Sequence, residues 1–181
     1  MSAADGPTPV YTIGHSTRSL EEFVEILRGG GVRCVVDVRS IPRSRTNPQY
    51  NLDTLPDALA ERQIRHRFIE ELGGRRPRQK EVDPEVNALW RNQSFHNYAD
   101  YAQSEAFHEG LRELEELADT APCAIMCAEA VWWRCHRRIV ADYLLARGRP
   151  VFHLMGRDRI EPAKMTPGAR AKGGNVAYPP G

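Results

Sequence analysis

No stretch of the sequence approaches the eighteen or so consecutive apolar residues of a membrane-spanning helix, so neither a span nor a membrane partner is expected. Charge of one sign is not in excess either. Twenty-five Lys and Arg against 24 Asp and Glu leave a formal net charge of +1. This excludes a protein that coats nucleic acid through overall basicity, though not one with a local basic patch. Cysteine is scarce: Cys34, Cys123, Cys127 and Cys135 are too few and too clustered for a disulfide framework, which makes a reducing cytoplasm the expected location. The segment Met1 to Pro9 lacks the charged start and apolar core of a secretory signal.

Several signatures are missing as well. There is no C-x-x-C redox motif and no internal repeat. Cys127 to Arg134 spaces as C-x₆-R, one residue longer than a phosphatase or sulfurtransferase loop, and has no glycines to cradle a phosphate. Gly29-Gly30-Gly31 follows a helical pattern and precedes a strand pattern, the reverse of a P-loop or dinucleotide fingerprint.

What is present is an ordinary globular composition, 41% hydrophobic and 27% charged, in a chain long enough for one domain with a substantial core. Val10 to Ile13 reads as a first strand, ended by Gly14-His15-Ser16-Thr17. Ser19 with Glu22 forms a capping-box pattern before Leu20, Phe23, Val24 and Leu27 at helical spacing. Val32 to Val38 is a nearly continuous apolar strand of the kind covered on both faces in parallel sheets. A helix over about 55–63, a weaker strand over 64–69, a helix over about 98–117, a strand over 123–127, a helix over 135–147 and a strand over 151–155 follow. The alternation predicts a single-domain α/β fold with a mainly parallel five-stranded sheet and helices on both faces. Residues 10–160 would form this domain, with 75–97 an irregular excursion or lid over the active face. Residues 1–9 would be disordered or extended, and 161–181 an extended C-terminal tail.

Ligands bind open parallel sheets in the crevice beyond the carboxyl ends of the strands. That edge collects His15, Asp37 and Arg39, Glu70 and Glu71, then Cys127 and Glu129, with Cys135-His136-Arg137 opening the helix that leaves it. Each has a plain alternative. Cys127 is either a reactive thiol favoured by nearby helix and strand termini or a small buried hydrophobe. Cys135, eight positions on, is either its partner or structural. His136, followed by Ile139, Val140 and Tyr143, is a proton carrier or a satisfied core histidine. Asp37 reads as a partly structural ion-pair partner beside a ligand-facing Arg39. Glu129 is a general acid or base if burial raises its pKa, or merely caps amides. Cys127, Cys135, His136 and His15 together have the ligand types of zinc but not the usual close spacing. Arg39, Arg43, Arg45, Arg75, Arg76, Arg134, Arg137 and Arg138 favour an anionic ligand, or form a basic rim paired with the acidic helix Glu105 to Asp119. Trp132 and Trp133 either stack a base or pack beneath the loop.

Thr12-Ile-Gly-His-Ser16, Asp37-Val-Arg39 with Pro42 and Ser44, Leu72-Gly-Gly74, Tyr101, Cys127-Ala-Glu129 and Cys135-His-Arg137, taken together, resemble the domain of unknown function 488 family. The resemblance runs from about residue 10 to 160 and implies a small bacterial or archaeal α/β protein without an established reaction. It adds Ser44 and Tyr101 to the candidate binding residues. Family members often carry a histidine before a Thr-Pro near the C-terminus, where this chain has Ala163. The resulting expectation is an enzyme with Cys127, Glu129, Cys135, His136 and His15 as reacting groups and Asp37, Arg39, Ser44, Tyr101 and Arg137 as binding groups. Its substrate would be an anionic, nucleotide-like molecule, and no cofactor is named. A nucleotide- or nucleic-acid-binding module and a metal-bound regulator are the other two readings.

Overall fold

A computed structural model describes residues 6–181, so the first half of the expected extended N-terminus lies outside the described residues. The first strand, β1 (Val10–Gly14), leads through α1 (Leu20–Gly29) to β2 (Cys34–Asp37). The Ser19 hydroxyl accepts from the Glu22 amide at 3.1 Å and so starts α1 where the capping pattern places it. Gly31 takes φ +72° just beyond the helix, a conformation that favours glycine. Next come α2 (Leu55–Ala60), β3 (Arg65–Phe68), α3 (Gln93–Tyr101), α4 (Glu105–Thr120) and β4 (Cys123–Cys127). The chain continues with α5 (Arg137–Ala146), β5 (Val151–Gly156) and β6 (Arg159–Pro162).

These strands form one sheet in the order β3-β2-β4-β1-β5-β6, parallel except for β6. The expected five parallel strands are all there. The sixth is not legible because β6 is short, exposed and mostly polar, and joins the sheet only by folding back antiparallel on β5 after Gly156. All four residues of β2 and all five of β4 are buried, as a strand covered on both faces requires. On one face α1 and α2 pack Phe23, Leu27, Leu55 and Leu59 onto Ile13, Val35, Ala124 and Met126. On the other, α3, α4 and α5 pack Tyr98, Phe107, Leu111, Leu114, Ile139 and Leu144 onto Val36, Ile125 and Cys127.

Two expectations about the helices and the C-terminus are corrected. The single helix over 98–117 is two, because the Ser104 hydroxyl accepts from the Phe107 amide at 3.3 Å and caps a new helix. Residues 161–181 are not an extended tail. They contribute to β6 and then form a hairpin of β7 (Arg170–Lys172) and β8 (Asn175–Ala177), with Val176 and Tyr178 fully buried. The buried Asp142 carboxylate on α5 holds this segment: it accepts from the Thr166 amide at 2.9 Å and the Tyr178 hydroxyl at 2.8 Å. Asn87, in the 75–97 excursion, donates to Asp100 at 2.8 Å and accepts from the Tyr178 amide at 3.0 Å. Excursion and hairpin therefore pin each other against α3 and α5.

Removing one hydroxyl tests that clamp. Tyr178→Phe leaves a buried carboxylate oxygen without its donor and should lower unfolding free energy by about 1–3 kcal/mol in urea titrations. An unchanged midpoint would mean that the Tyr178–Asp142 hydrogen bond adds nothing to stability.

Candidate functional site

The loop after β1 turns to α1 on one face of the sheet, and the loop after the adjacent β4 turns to α5 on the other. Such a divergence opens a crevice at the strand ends. Register sets its floor: Gly14 pairs with Cys127, and Asp37 with Met126. The pairing runs on beyond the strands, with the His15 amide on the Cys127 carbonyl at 2.9 Å and the Ser16 amide on the Ala128 carbonyl at 3.0 Å. Gly14 has no side chain because the Glu129 carbonyl and the Ala130 Cα occupy the space a Cβ would need. Gly74 is constrained in the same way by the imidazole ring of His136. These two glycines let the loops of the site close on one another.

On one side of the crevice sits a buried ionic cluster. Arg39 grips Asp37 bidentately, Nε to Oδ1 at 2.9 Å and Nη2 to Oδ2 at 2.6 Å, and its own amide adds a third bond at 3.0 Å. Burial pushes the Asp37 carboxyl up, but His66, 3.8 Å away, and Arg39 more than offset this and hold it below the usual carboxylate range. Arg39 Nη2 also reaches the Tyr50 carbonyl at 2.7 Å. Its remaining Nη1 lies 3.4 Å from His15 Nε2. Because an arginine only donates, Nε2 must accept, and Nδ1–H then donates to the Ser16 carbonyl at 2.8 Å. His15 stacks on Tyr50 with centroids 4.2 Å apart. Burial first, and the Arg39 charge after it, draw its pKa below the ordinary histidine value. His15 is thus neutral, and Asp37 is an anchor for Arg39 with no exposed surface of its own.

On the other side are the thiols. The Cys127 and Cys135 sulfurs lie 2.7 Å apart, and neither is in a disulfide. Cys135 Sγ also lies 3.5 Å from His136 Nδ1 and accepts the Arg137 amide at 3.4 Å. His136 Nε2 meets the Val38 carbonyl at 2.8 Å and so carries the proton, which leaves Nδ1 as an acceptor facing Cys135. Burial draws the His136 pKa to about 4, helped by Arg137 and opposed by the Val38 carbonyl, and the ring is neutral at ordinary pH. Burial pushes both thiols up, but the hydrogen bond from Cys135 and the Arg137 charge hold Cys127 below the ordinary thiol value, with Cys135 well above it. Cys127 is the acidic member and Cys135 the one that keeps its proton.

Arg137 is the least expected feature of the site. Its side chain is 1% exposed, and its Nη2 bonds only to the carbonyls of Glu129 at 3.0 Å and Ala130 at 3.5 Å. Nε and Nη1 have no hydrogen-bond partner, and no carboxylate among the described residues pairs with it. A buried charge costs several kcal/mol unless it is compensated. The adjacent Cys127 thiolate is the compensation that chemistry offers. The sequence places Arg137 in the Cys135-His-Arg137 motif and suggests a ligand contact; its burial, away from the crevice lining, is what the spacing does not show. His153 records the same field. Buried, bonded to the Thr12 hydroxyl at 2.7 Å and stacked on Trp132 at 4.5 Å, it has its pKa lowered to about 4 by burial and then by Arg137.

Between the two sides opens a crevice of about 480 Å³, lined by Cys127, Cys135, His136, Glu129, Arg39, Arg75, Arg134, Ile41 and Phe95 among others. A smaller one of about 360 Å³, lined by His15, Arg39, Arg43 and Ser44, adjoins it through Arg39, Ile41 and Ala128. The acidic helix does not neutralise this rim. Glu113, Glu115 and Asp119 pair instead with Arg67, Arg147 and Arg149, away from the crevice. Glu129 departs from expectation. It is exposed, with its carboxylate accepting the Val131 amide at 3.4 Å, so burial cannot make it an acid or base. Ser44 caps its own loop by accepting the Asn47 amide at 3.0 Å. Tyr101 donates to the Glu71 carbonyl at 2.7 Å and lies under the Arg76 guanidinium, so it shapes the 70–72 turn away from the crevice. Trp132 packs beneath the loop, whereas Trp133 is 44% exposed. Cys127, Cys135, His136 and His15 do not converge as metal ligands, and no group of three or more candidate ligands occurs among the described residues.

A family model, Domain of unknown function DUF488, matches residues 19–144, and the chain belongs to that family. The matched span holds Asp37, Arg39, Gly74, both site cysteines, His136 and Arg137; Gly14, His15 and the C-terminal hairpin lie outside it. No curated protein and no solved structure is significantly similar to the chain.

The burial of His153, reinforced by the Arg137 charge, has a consequence for acid stability. His153 binds a proton less readily folded than unfolded, so the unfolded state gains protons first as pH falls from about 6.5 toward 4. Stability should drop across that window by up to about 3 kcal/mol from His153. His153→Gln should flatten this slope in urea midpoints measured through the window. An unaltered slope would show that His153 titrates normally.

Proposed function

We propose that this member of the family is a thiol-dependent enzyme, with Cys127 as nucleophile, acting on a small organic anion bound in the arginine-rimmed crevice. The observation that carries the reading is the contact between the Cys127 and Cys135 sulfurs beside a buried guanidinium that has no carboxylate partner. A nucleophilic cysteine needs a depressed pKa or an adjacent base. Cys127 has the first, and Cys135 has the second in His136 Nδ1. Arg39, Arg75 and Arg134 supply charge for the anion, while Ile41 and Phe95 give an apolar wall that suits an organic rather than an inorganic ligand. Arg39 offers Nη1 alone, its other donors being held by Asp37 and Tyr50. Arg137 acts through Cys127 as a positioning residue. Free, closely paired thiols suit a reducing compartment, and the cytoplasm is the one we assign.

A binding-module reading rests on one feature, the exposed Trp133 beside Arg134 on the rim, which suits stacking of a nucleotide base. The two readings part on the thiol. As an enzyme, the folded protein should have Cys127 alkylated by iodoacetamide near neutral pH at least about tenfold faster than Cys34 or Cys123, and Arg137→Met should reduce that advantage. Equal, slow labelling of all four cysteines would sink the enzyme reading. A binding module would instead lose salt-sensitive oligonucleotide binding in Arg43→Ala or Arg134→Ala and be indifferent to Cys127→Ser.

A further inference from the structure

A single attacking cysteine needs one thiolate and one proton acceptor. This site holds a second thiol in contact with the first, and that thiol has a base of its own at 3.5 Å. For acyl-transfer chemistry such a neighbour is a liability, because any thioester formed on Cys127 would be open to attack by Cys135. Disulfide chemistry is the case in which the neighbour is required, because the second thiol resolves the intermediate. We infer that Cys127 and Cys135 are a dithiol–disulfide couple that reduces a small disulfide carrying carboxylates. The inference rests on the thiol-dependent reading of the site and names its substrate class.

The step balances. The Cys127 thiolate attacks one sulfur of the substrate disulfide; its S–S bond breaks, one substrate thiolate leaves and takes a proton from solvent, and a mixed disulfide remains on Cys127. Cys135 passes its proton to His136 Nδ1, and its thiolate attacks the Cys127 sulfur. The second substrate thiolate leaves, taking that proton, and a Cys127–Cys135 bond of about 2.05 Å forms. The protein loses two electrons and the substrate gains two, so one disulfide becomes two thiols. An excess of a small dithiol drives the reverse reaction and restores the protein.

Three features of the structure favour this chemistry. The loop from Ala128 to Arg134 is already folded back, with the Cys135 amide on the Trp132 carbonyl at 3.1 Å and Trp132 stacked on His153, so the thiols meet without loop closure. Cys127 and Cys135 are 4% and 6% exposed and face the crevice, which restricts attack to a sulfur that a slim chain can deliver. The other two cysteines form an internal contrast. Cys34 and Cys123 are register partners on β2 and β4, and hydrogen bonding with Cys123 lowers the Cys34 pKa as well. Their sulfurs, however, face backbone carbonyls, with no imidazole beside them and no place in the crevice lining. Access and a proton acceptor separate the two pairs more than acidity does.

The experiment uses the reduced full-length protein, glutathione disulfide as the anionic probe and hydroxyethyl disulfide as its uncharged counterpart, with acid quenching and peptide mass spectrometry. Wild-type protein should form an intramolecular Cys127–Cys135 disulfide. Cys135→Ser should halt at the mixed disulfide on Cys127, and Cys127→Ser should give neither; cooperative unfolding of each near-isosteric variant certifies its fold. Glutathione disulfide should react about tenfold faster than hydroxyethyl disulfide at low salt, and Arg75→Ala with Arg134→Ala should remove that preference. If Cys127 is alkylated rapidly yet no Cys127–Cys135 bond forms with either probe, exchange is wrong and the thiol-enzyme reading stands. Slow alkylation of Cys127 would overturn both. A Cys34–Cys123 bridge in place of the expected one also overturns the inference, and equal rates for the two probes overturn its anionic substrate.

Discussion

The site depends on one constraint, the position of β4 between β2 and β1 with its last residue level with Gly14. Parallel pairing on both sides fixes the register, and register fixes which groups reach the edge together. A slip of one residue would turn the Cys127 side chain to the opposite face of the sheet, among α1 and α2 and away from Cys135. The pairing tolerates no such slip, because β4 is buried on both faces and every apolar side chain would change sides with it. The glycines at the rim extend the same logic into the loops. Without a side chain at position 14 the 129–130 backbone can close over β1, and without one at position 74 the His136 ring can lie flat against the chain. Thiol geometry is therefore inherited from sheet geometry.

Two buried guanidiniums then divide the labour. Arg39 is paired bidentately with a fully buried carboxylate, an arrangement that is electrostatically closed except at Nη1. Breaking it would strand a charge at a cost of about 3–5 kcal/mol, so Asp37 and Arg39 are structural first and reach a ligand through one remaining donor. Arg137 is electrostatically open. Its charge adds to what burial does to His136 and His153, drawing both toward the neutral form, and to the Cys135 hydrogen bond that lowers the Cys127 pKa. Such an arrangement weakens the folded state when Cys127 is protonated or blocked and strengthens it when Cys127 is charged, so stability and reactivity are linked through a single side chain.

Much of this was readable from the chain, and the failures have physical causes. Strand direction alone gathered His15, Asp37, Arg39, Cys127 and Cys135 at one edge, because in a parallel sheet every strand delivers its C-terminal residues to the same side. The periodicity of α1 and its serine cap needed no tertiary information. What failed was whatever depends on the depth of one residue. Glu129 sits among apolar neighbours and Arg137 among basic ones in the sequence, yet Glu129 is exposed and Arg137 has almost no exposed surface. Nothing in the spacing distinguishes them, because burial is decided by the closure of the 128–134 loop over α5. The C-terminal hairpin was missed for a related reason. Its strands are only three residues each, and Asp142 and Asn87, far away in the chain, hold the segment in place. The division of one long helical pattern at Ser104 shows the converse, a local hydrogen bond overriding a pattern that continues past it.

Burial sets the limits of the proposed chemistry as well as its strength. With its pKa near 4, His136 is a poor resting base and accepts a proton only when the result is consumed at once. That suits resolution of a mixed disulfide, in which the proton taken from Cys135 is needed within the same step by the departing thiolate. It does not suit sustained activation of a water molecule, for which an imidazole near pH 7 is the better tool. Cys127 needs no such help, since the Cys135 hydrogen bond and then the Arg137 charge already lower its pKa. The two cysteines are therefore activated by different means and at different moments, the first at rest by the Cys135 hydrogen bond and a buried charge, the second transiently by a neighbour that must give the proton back. That asymmetry gives the pair a direction: Cys127 attacks, and Cys135 resolves.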